Sequence, residues 1–220
     1  MSIRETYDLQ LEKLSEELIR MGAAARQAVQ QAVDALKNSD VELARAVMKG
    51  DEAIDRMERD IEHQCLTLLL RQQPVAGDLR KVGTAIKMIT DVERIGDAAS
   101  DIAELSTHIR SDQFPTLLPH ILQLAGTVSQ MTDDAIRAYV QEDLKLAGEV
   151  IDRDDIADEA FCAIKREIAQ NMAGNPAGVD AALDCLMVAK YLERVGDHAV
   201  NICEWVQFYK TGIHKHERIV

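Results

Sequence analysis

Two copies of one short acidic segment have the residue types and spacing of a metal-binding site. The first runs Glu93-Arg-Ile-Gly-Asp97, and the second runs Glu193-Arg-Val-Gly-Asp197, 100 residues later. In a helix, carboxylates four residues apart share one face, where like charges destabilise the helix by about 0.2–0.5 kcal/mol per pair. A single pair of this kind is usually a solvated polar surface. Its ordered recurrence favours a site at which a bound cation offsets the repulsion.

The two acidic stripes differ at their ends. The first continues for one more turn to Asp101, whereas the second ends in Asn201 at the equivalent position. His198 replaces Ala98, one residue away from the stripe, and its imidazole is compatible with a metal ligand or with an ordinary surface histidine. These differences allow the two sites to differ in affinity or in the metal that they bind.

The acidic segments belong to an internal repeat that spans both halves of the chain. Upstream of them, an offset of 103 residues relates Asp40, Leu43, Ala44, Val47, Asp51 and Asp55 to Asp143, Leu146, Ala147, Val150, Asp154 and Asp158. The apolar spacing is helical, and prolines interrupt it. It predicts six helices at about 5–37, 40–71, 78–110, 117–140, 143–172 and 178–210, and no strands. The predicted N-caps are Asp40, Asp78 and Asp143.

Folding the second and third helices of the first repeat into an antiparallel hairpin brings acids of both helices together. Asp55 and Glu93 each lie 19 residues from Pro74, and Asp51 and Asp97 each lie 23 residues from it. Carboxylates so close repel one another unless they are protonated or bridged by a cation. Oxygen ligands of this kind suit Mg²⁺, Mn²⁺, Ca²⁺ or ferric iron.

The second repeat has the same hairpin symmetry. The pairs that match across its two helices share a midpoint at Asn175-Pro176. The predicted metal ligands are Asp51, Asp55, Glu93, Asp97 and Asp101 in the first repeat and Asp154, Asp158, Glu193, Asp197 and Asn201 in the second.

Two further residue types within the motifs bear on the site. Gly96 and Gly196 cost about 1 kcal/mol each in mid-helix relative to alanine, which predicts the close approach of a neighbouring helix. Arg94 and Arg194 either hold the carboxylates in position or form ordinary surface ion pairs.

The overall composition limits the functions that the protein can perform. The 220 residues are 47% hydrophobic and 4% aromatic, with a formal net charge of -13. The low aromatic content favours helices, and the charge opposes nucleic-acid binding. Four cysteines without zinc-type spacing are typical of reduced, buried thiols in a cytoplasmic protein. Neither a signal peptide nor a membrane span is expected, so any membrane association would be indirect.

The end of the chain carries aromatic and histidine residues outside the motifs. Trp205 and Phe208 are expected to pack rather than to bind a ligand. His214 and His216 lie in a polar tail, where a disordered terminus is a simpler expectation than metal binding.

With these motifs, the chain resembles the PhoU family of phosphate-transport accessory proteins, whose mark is a duplicated three-helix domain with E(D)xxxD metal motifs. The motifs correspond to residues 93–97 and 193–197, with partners at 51–55 and 154–158. The expected architecture is all-α, with two tandem three-helix bundles at 1–112 and 113–213 and a polar tail at 214–220.

The resemblance implies a cytoplasmic, non-enzymatic regulator that restrains phosphate uptake and phosphate-starvation signalling when phosphate is plentiful. The implied partners are the ATPase of the phosphate ABC transporter and a membrane-bound sensor histidine kinase, and a homodimer is expected. The implied metals are iron, zinc, magnesium or manganese.

Two alternatives remain open at this point. A carboxylate-bridged dimetal oxidase or ferritin-like metal store also places acids inside a helical bundle, but it requires Glu-x-x-His pairs. The sequence offers only Asp60-Ile-Glu-His63, without a counterpart in the second half. The other alternative is a helical scaffold whose acidic stripes bind basic partner surfaces without metal. We expect no catalysis, because no nucleophile with a base and no glycine-rich phosphate loop can be identified.

Overall fold

Six long helices account for nearly all of the residues that the structure describes. The structure, a computed structural model, describes residues 3–72, 74, 77–110, 115–174, 178–214 and 217–218. The helices are α1 (Ile3–Asn38), α2 (Val41–Gln72), α3 (Gly77–Ser106), α4 (Leu117–Gln141), α5 (Leu144–Gly174) and α6 (Val179–Thr211). Two-residue strands β1 (Ile213–His214) and β2 (Glu217–Arg218) pair antiparallel after α6. The prediction of six helices in an all-α fold is confirmed. The expectation of no strands is wrong for this short pair, which forms after Gly212 has ended α6 with a left-handed φ of 73°.

The α1–α2 and α4–α5 connections have the same construction, as the repeat predicts. Ser39 and Glu142 adopt left-handed backbone conformations, with φ of 52° and 54°. Each is followed by an aspartate whose N–H bonds to a carbonyl five residues earlier at 2.9 Å, a pattern that ends a helix. Asp40 and Asp143 then accept the N–H three residues further on at 3.0 Å, so both predicted N-caps are confirmed.

The two ends of α3 differ from the sequence prediction. Asp78 is not an N-cap, because α3 begins one residue earlier and Asp78 lies within its first turn. The C-terminal end falls at Ser106 rather than 110. Ser106 and Thr107 donate their hydroxyls to carbonyls three residues earlier at 2.7 Å, and the N–H groups of Thr107 and His108 also bond three residues back. These tighter bonds end the α-helical ladder.

Each repeat forms a three-helix bundle, and the two bundles share one core. Helices α1, α2 and α3 pack on one another, as do α4, α5 and α6, while α3 packs against α6 and α1 against α4. Aliphatic side chains fill the core, including Leu18, Met21, Ile89, Ile102 and Leu192, which are at most 1% exposed. Full burial of such a side chain contributes about 1.5–3 kcal/mol. The continuous core therefore fixes the two repeats against each other.

The cysteines are only partly as expected. Cys65, Cys185 and Cys203 are buried free thiols, but Cys162 is exposed on α5.

None of the helices within the described ranges is long and apolar enough to cross a membrane.

The segment after α6 folds back onto that helix. The His214 ring stacks on Trp205, with ring centroids 3.9 Å apart and planes at 12°, and Phe208 meets Trp205 edge-on at 5.7 Å. Packing is thus the role of both aromatic residues. The expectation of a disordered tail is wrong at His214, because the stacked indole holds its ring in place, while His216 lies outside the described residues.

Candidate metal centre

Three aspartates of the first repeat meet where α2 and α3 run side by side. Asp51 and Asp55 extend from α2 and Asp97 from α3, and one carboxylate oxygen of each lies within 4.8 Å of the other two. The hairpin symmetry about Pro74 predicts that Asp51 meets Asp97, because antiparallel helices bring residues equidistant from the turn to one level. Asp55, which the symmetry sets opposite Glu93, also reaches Asp97, whereas Glu93 is not part of this compact group among the described residues. All three side chains are half-buried, so they are accessible to ions and partly shielded from water.

Gly96 permits the close approach of the two helices at this level. A Cβ at this position would lie 3.0 Å from Ile54 Cδ1 and 3.3 Å from Asp51 Oδ1. Gly196 stands in the same relation to the second cluster, where a Cβ would lie 3.4 Å from Asp154 Oδ1. Both glycines therefore meet the neighbouring helix, as predicted, and both place a carboxylate oxygen beside the helix backbone.

The electrostatics of the first cluster favour a cation. Burial and then the charges of Asp97, Asp55 and Asp101 raise the pKa of Asp51 from 3.8 to about 6. Burial, followed by the charge of Asp97, also raises the pKa of Glu93. Asp51 Oδ1 and Glu93 Oε2 are buried without a hydrogen-bond donor. A metal ion would supply a close positive partner to these oxygens, of which Glu93 Oε2 has only Arg94 Nε at 3.4 Å, so the residues present fit a metal.

Glu58 extends the first cluster by a turn of α2 and was not among the predicted ligands. Its pKa is raised by burial and then by the charges of Glu62 and Asp55. Its position three residues after Asp55 would place it on the same face, so the signal was present in the sequence. Comparison of the two repeats does not reveal Glu58, because the equivalent position in the second repeat is Phe161.

Arg94 binds the outer side of the first cluster. Its Nη1 lies 2.7 Å from Asp97 Oδ2, and its Nε lies 3.4 Å from Glu93 Oε2. The guanidinium is 51% exposed, so this pairing orients the two carboxylates more than it stabilises the fold.

The second cluster has the same residue types in a looser arrangement. Burial and then the charges of Asp158, Asp197 and Glu193 raise the pKa of Asp154 to about 6, and Asp154 Oδ1 is buried without a donor. Asp158 and Asp197 are exposed. Within the described ranges, the three aspartates of the first repeat form the one group of three or more potential ligands that is so compact.

An ion pair between a buried aspartate and a half-buried arginine lies next to the second cluster. Asp134 on α4 is 3% exposed, and its Oδ2 lies 2.8 Å from Arg153 Nη1, directly before Asp154 in α5. Arg137 and Gln130 occupy its other oxygen at 2.9 and 3.0 Å. The pair fixes α5 against α4 next to the acids.

The ends of the two stripes face the other repeat. Asp101 accepts a hydrogen bond from the Tyr191 hydroxyl. Asn201 Nδ2 donates to Asp91 Oδ1 at 3.2 Å, and His198 Nδ1 lies 2.9 Å from the same oxygen. Asp101 and Asn201 thus contact residues across the α3–α6 packing, although the charge of Asp101 still contributes to the raised pKa of Asp51.

Comparison with known proteins agrees with this architecture. A family model described as "PhoU domain" matches the chain twice, at residues 18–106 and 121–206. A relative from Clostridium acetobutylicum, named phosphate-specific transport system accessory protein PhoU homolog, is 36% identical over 95% of this chain and 96% of its own. A relative of the same name from Caulobacter vibrioides is 36% identical over 94% of this chain and 91% of its own.

Solved structures show the same fold. The crystal structure of PhoU from Pseudomonas aeruginosa has a TM-score of 0.89 and 32% identity, covering 94% of this chain and all of that one. The phosphate transport system regulatory protein PhoU from Streptococcus pneumoniae has a TM-score of 0.88 and 26% identity, covering 97% of this chain and 99% of that one. The family model matches both repeats, and the relatives are matched over almost their whole length, so the chain belongs to the PhoU family.

Proposed function

We propose that this protein is an accessory protein of phosphate-specific transport that restrains phosphate uptake and phosphate-starvation signalling when phosphate is plentiful. The observation that carries the proposal is the match of both repeats to the PhoU domain, with relatives named for this transport system at 36% identity over nearly the full length. We place it in the cytoplasm as a non-enzymatic homodimer. Its partners would be the ATPase of the phosphate ABC transporter and a sensor histidine kinase.

Metal binding is the chemistry that the acidic clusters support. The first cluster would hold a metal through Asp51, Asp55 and Asp97, with Glu93 beside them, and the second through the equivalent acids. The all-oxygen ligand set suits magnesium, manganese or iron, and zinc is also compatible with carboxylates. Among the residues that the structure describes, the compact group contains aspartates alone. This composition favours a regulatory site over the histidine-containing dimetal centre of an oxidase.

The helices carry the proposed coupling between metal and partner. A bound metal would supply the positive charge that lets the carboxylates of α2 and α3 stay ionised at short range. Asp51 and Asp55 would then hold α2 at a fixed distance from Asp97 on α3. Partner binding that depends on this geometry would depend on metal occupancy.

The experiment measures phosphate uptake and a phosphate-starvation reporter in phosphate-replete host cells that lack the protein. Loss should raise both, and the wild-type protein should restore control. The variant Asp51→Asn/Asp97→Asn should fail to restore it. The matched control is Asp60→Asn, which removes an exposed carboxylate from another face of α2 and should restore control fully.

The outcomes separate the parts of the proposal. An unchanged reporter and unchanged uptake after loss of the protein would refute the regulatory function. Full rescue by Asp51→Asn/Asp97→Asn would leave a regulator whose action does not require the first cluster.

A further inference from the structure

The two acidic clusters differ at a pair of positions that the motifs do not include. Thr90 on α3 corresponds to Lys190 on α6, and Glu58 on α2 corresponds to Phe161 on α5, at the repeat offsets of 100 and 103. The second cluster therefore gains an ammonium group and lacks a carboxylate that the first one has.

Lys190 is held at the second cluster by two contacts. Its Nζ forms an ion pair with Glu193 Oε2, one turn further along α6. The same Nζ lies 5.5 Å from the centroid of the Phe161 ring. The Glu193 side chain is only 12% exposed, whereas the Lys190 side chain is 43% exposed. An ammonium between a nearly buried carboxylate and an aromatic ring has attractive partners on two sides, so its position is well defined.

The first cluster also has a cation, but its arrangement leaves the compact group intact. Arg94 pairs with Asp97 from the solvent side, and three carboxylates still lie within 4.8 Å of one another. In the second repeat, the guanidinium of Arg194 lies instead over the Tyr191 ring, 5.9 Å from its centroid. The cation at the second cluster is therefore Lys190, which pairs with Glu193, whereas Arg94 pairs with Asp97 at the first cluster.

We propose that Lys190 is a built-in cation of the second cluster that competes with metal ions for Glu193. This rests on the proposed metal binding of both clusters. A metal ion at Glu193 must displace the ammonium or remain close to a like charge. Because the ammonium is partly exposed, its removal should strengthen metal binding at the second cluster by about fivefold.

The test uses the full chain, freed of metal by a chelator and titrated with Mn²⁺, whose free form is measured by electron paramagnetic resonance. The background variant Asp51→Asn/Asp97→Asn confines binding to the second cluster. In this background, Lys190→Thr, which installs the residue of the first repeat, should lower the Mn²⁺ dissociation constant about fivefold. Lys190→Gln removes the charge while keeping a long side chain, and it should have the same effect.

Lys145→Thr is the matched control for net charge. It removes a lysine from an exposed pair with Glu149 at the start of α5, and the dissociation constant should not change. Equal Mn²⁺ affinities with and without Lys190 would overturn this inference and leave metal binding standing. Wild-type protein that binds no Mn²⁺ at all would instead refute the metal part of the proposed function, and this inference with it.

Discussion

Acidification should stabilise the metal-free protein. Two carboxylates, Asp51 and Asp154, are partly buried beside other negative charges, which destabilises their ionised form at neutral pH. Asp51 and Asp154 each have a pKa of about 6 in the folded protein, against 3.8 ordinarily. Between these two values the folded state binds more protons than the unfolded state. The stability that protonation provides is therefore fully present below about pH 3.8 and is lost as the pH rises through about 6.

The magnitude follows from the size of this difference. A change in pKa from 3.8 to about 6 corresponds to at most about 3 kcal/mol per group. Both side chains are only half-buried. Screening by water therefore reduces the effect to about 1 kcal/mol each, or about 2 kcal/mol together.

Urea unfolding at pH 8, 6 and 5, in the presence of a chelator, measures this effect. The comparison protein is Asp51→Asn/Asp154→Asn, in which neutral amides replace both carboxylates. At pH 8 this variant should be more stable than wild type by about 2 kcal/mol, and the gap should narrow on acidification. Titrating groups remote from these two carboxyls cancel in the comparison. A stability difference between the two proteins that stays constant from pH 8 to pH 5 would refute the proposed titration of Asp51 and Asp154.

Adding metal should relieve the same repulsion. At pH 8, Mn²⁺ at 100 times its dissociation constant should stabilise the wild-type protein by about 2.7 kcal/mol, and chelation should reverse this gain. The gain should be smaller at pH 5, because protons compete for the same oxygens. Equal stabilisation of wild type and Asp51→Asn/Asp154→Asn would show that Mn²⁺ acts elsewhere.

Three further predictions concern substitutions beside the clusters. Gly196→Ala should raise the free energy of unfolding by about 0.5–1 kcal/mol, because the new Cβ would meet no atom closer than 3.4 Å. Gly96→Ala should gain less stability than Gly196→Ala, or lose stability, because its Cβ would lie 3.0 Å from Ile54 Cδ1. An equal rise of the thermal unfolding midpoint in both variants would contradict this. Asp134→Ala should lower the free energy of unfolding by about 1–2 kcal/mol, because the half-buried Arg153 keeps its charge without its partner; a urea midpoint close to wild type would contradict it.

The repeat and the helical periodicity predicted most of the fold. Asp40 and Asp143 could be predicted as helix starts, because a short carboxylate directly before an apolar helical pattern can accept the unpaired N–H groups of the first turn. The end of α3 was placed four residues too late. The hydroxyls of Ser106 and Thr107 decide that end through local bonds, which apolar spacing does not record.

Asp51 and Asp97 lie together as the hairpin symmetry predicts, since that prediction depends only on distance from the turn, whereas the compact group contains Asp55 without Glu93, its predicted counterpart. The symmetry could not place Asp101 or Asn201, because a stripe of residues four apart drifts by about 40° per step around the helix. Because of that drift, the end of each stripe faces the other repeat. The symmetry of one hairpin contains no information on how the two repeats pack against each other.

The contacts between α3 and α6 have the form of a two-fold dimer interface contained in one chain. In such an interface, each contact occurs twice with the partners exchanged. Here the positions of Asp91 and Asn201 in one contact correspond to those of Tyr191 and Asp101 in the other. Two first repeats placed together would set Asp91 against Asp101, a repulsive pair. The first repeat is thus complementary to the second but not to itself, which directs each first repeat to a second one.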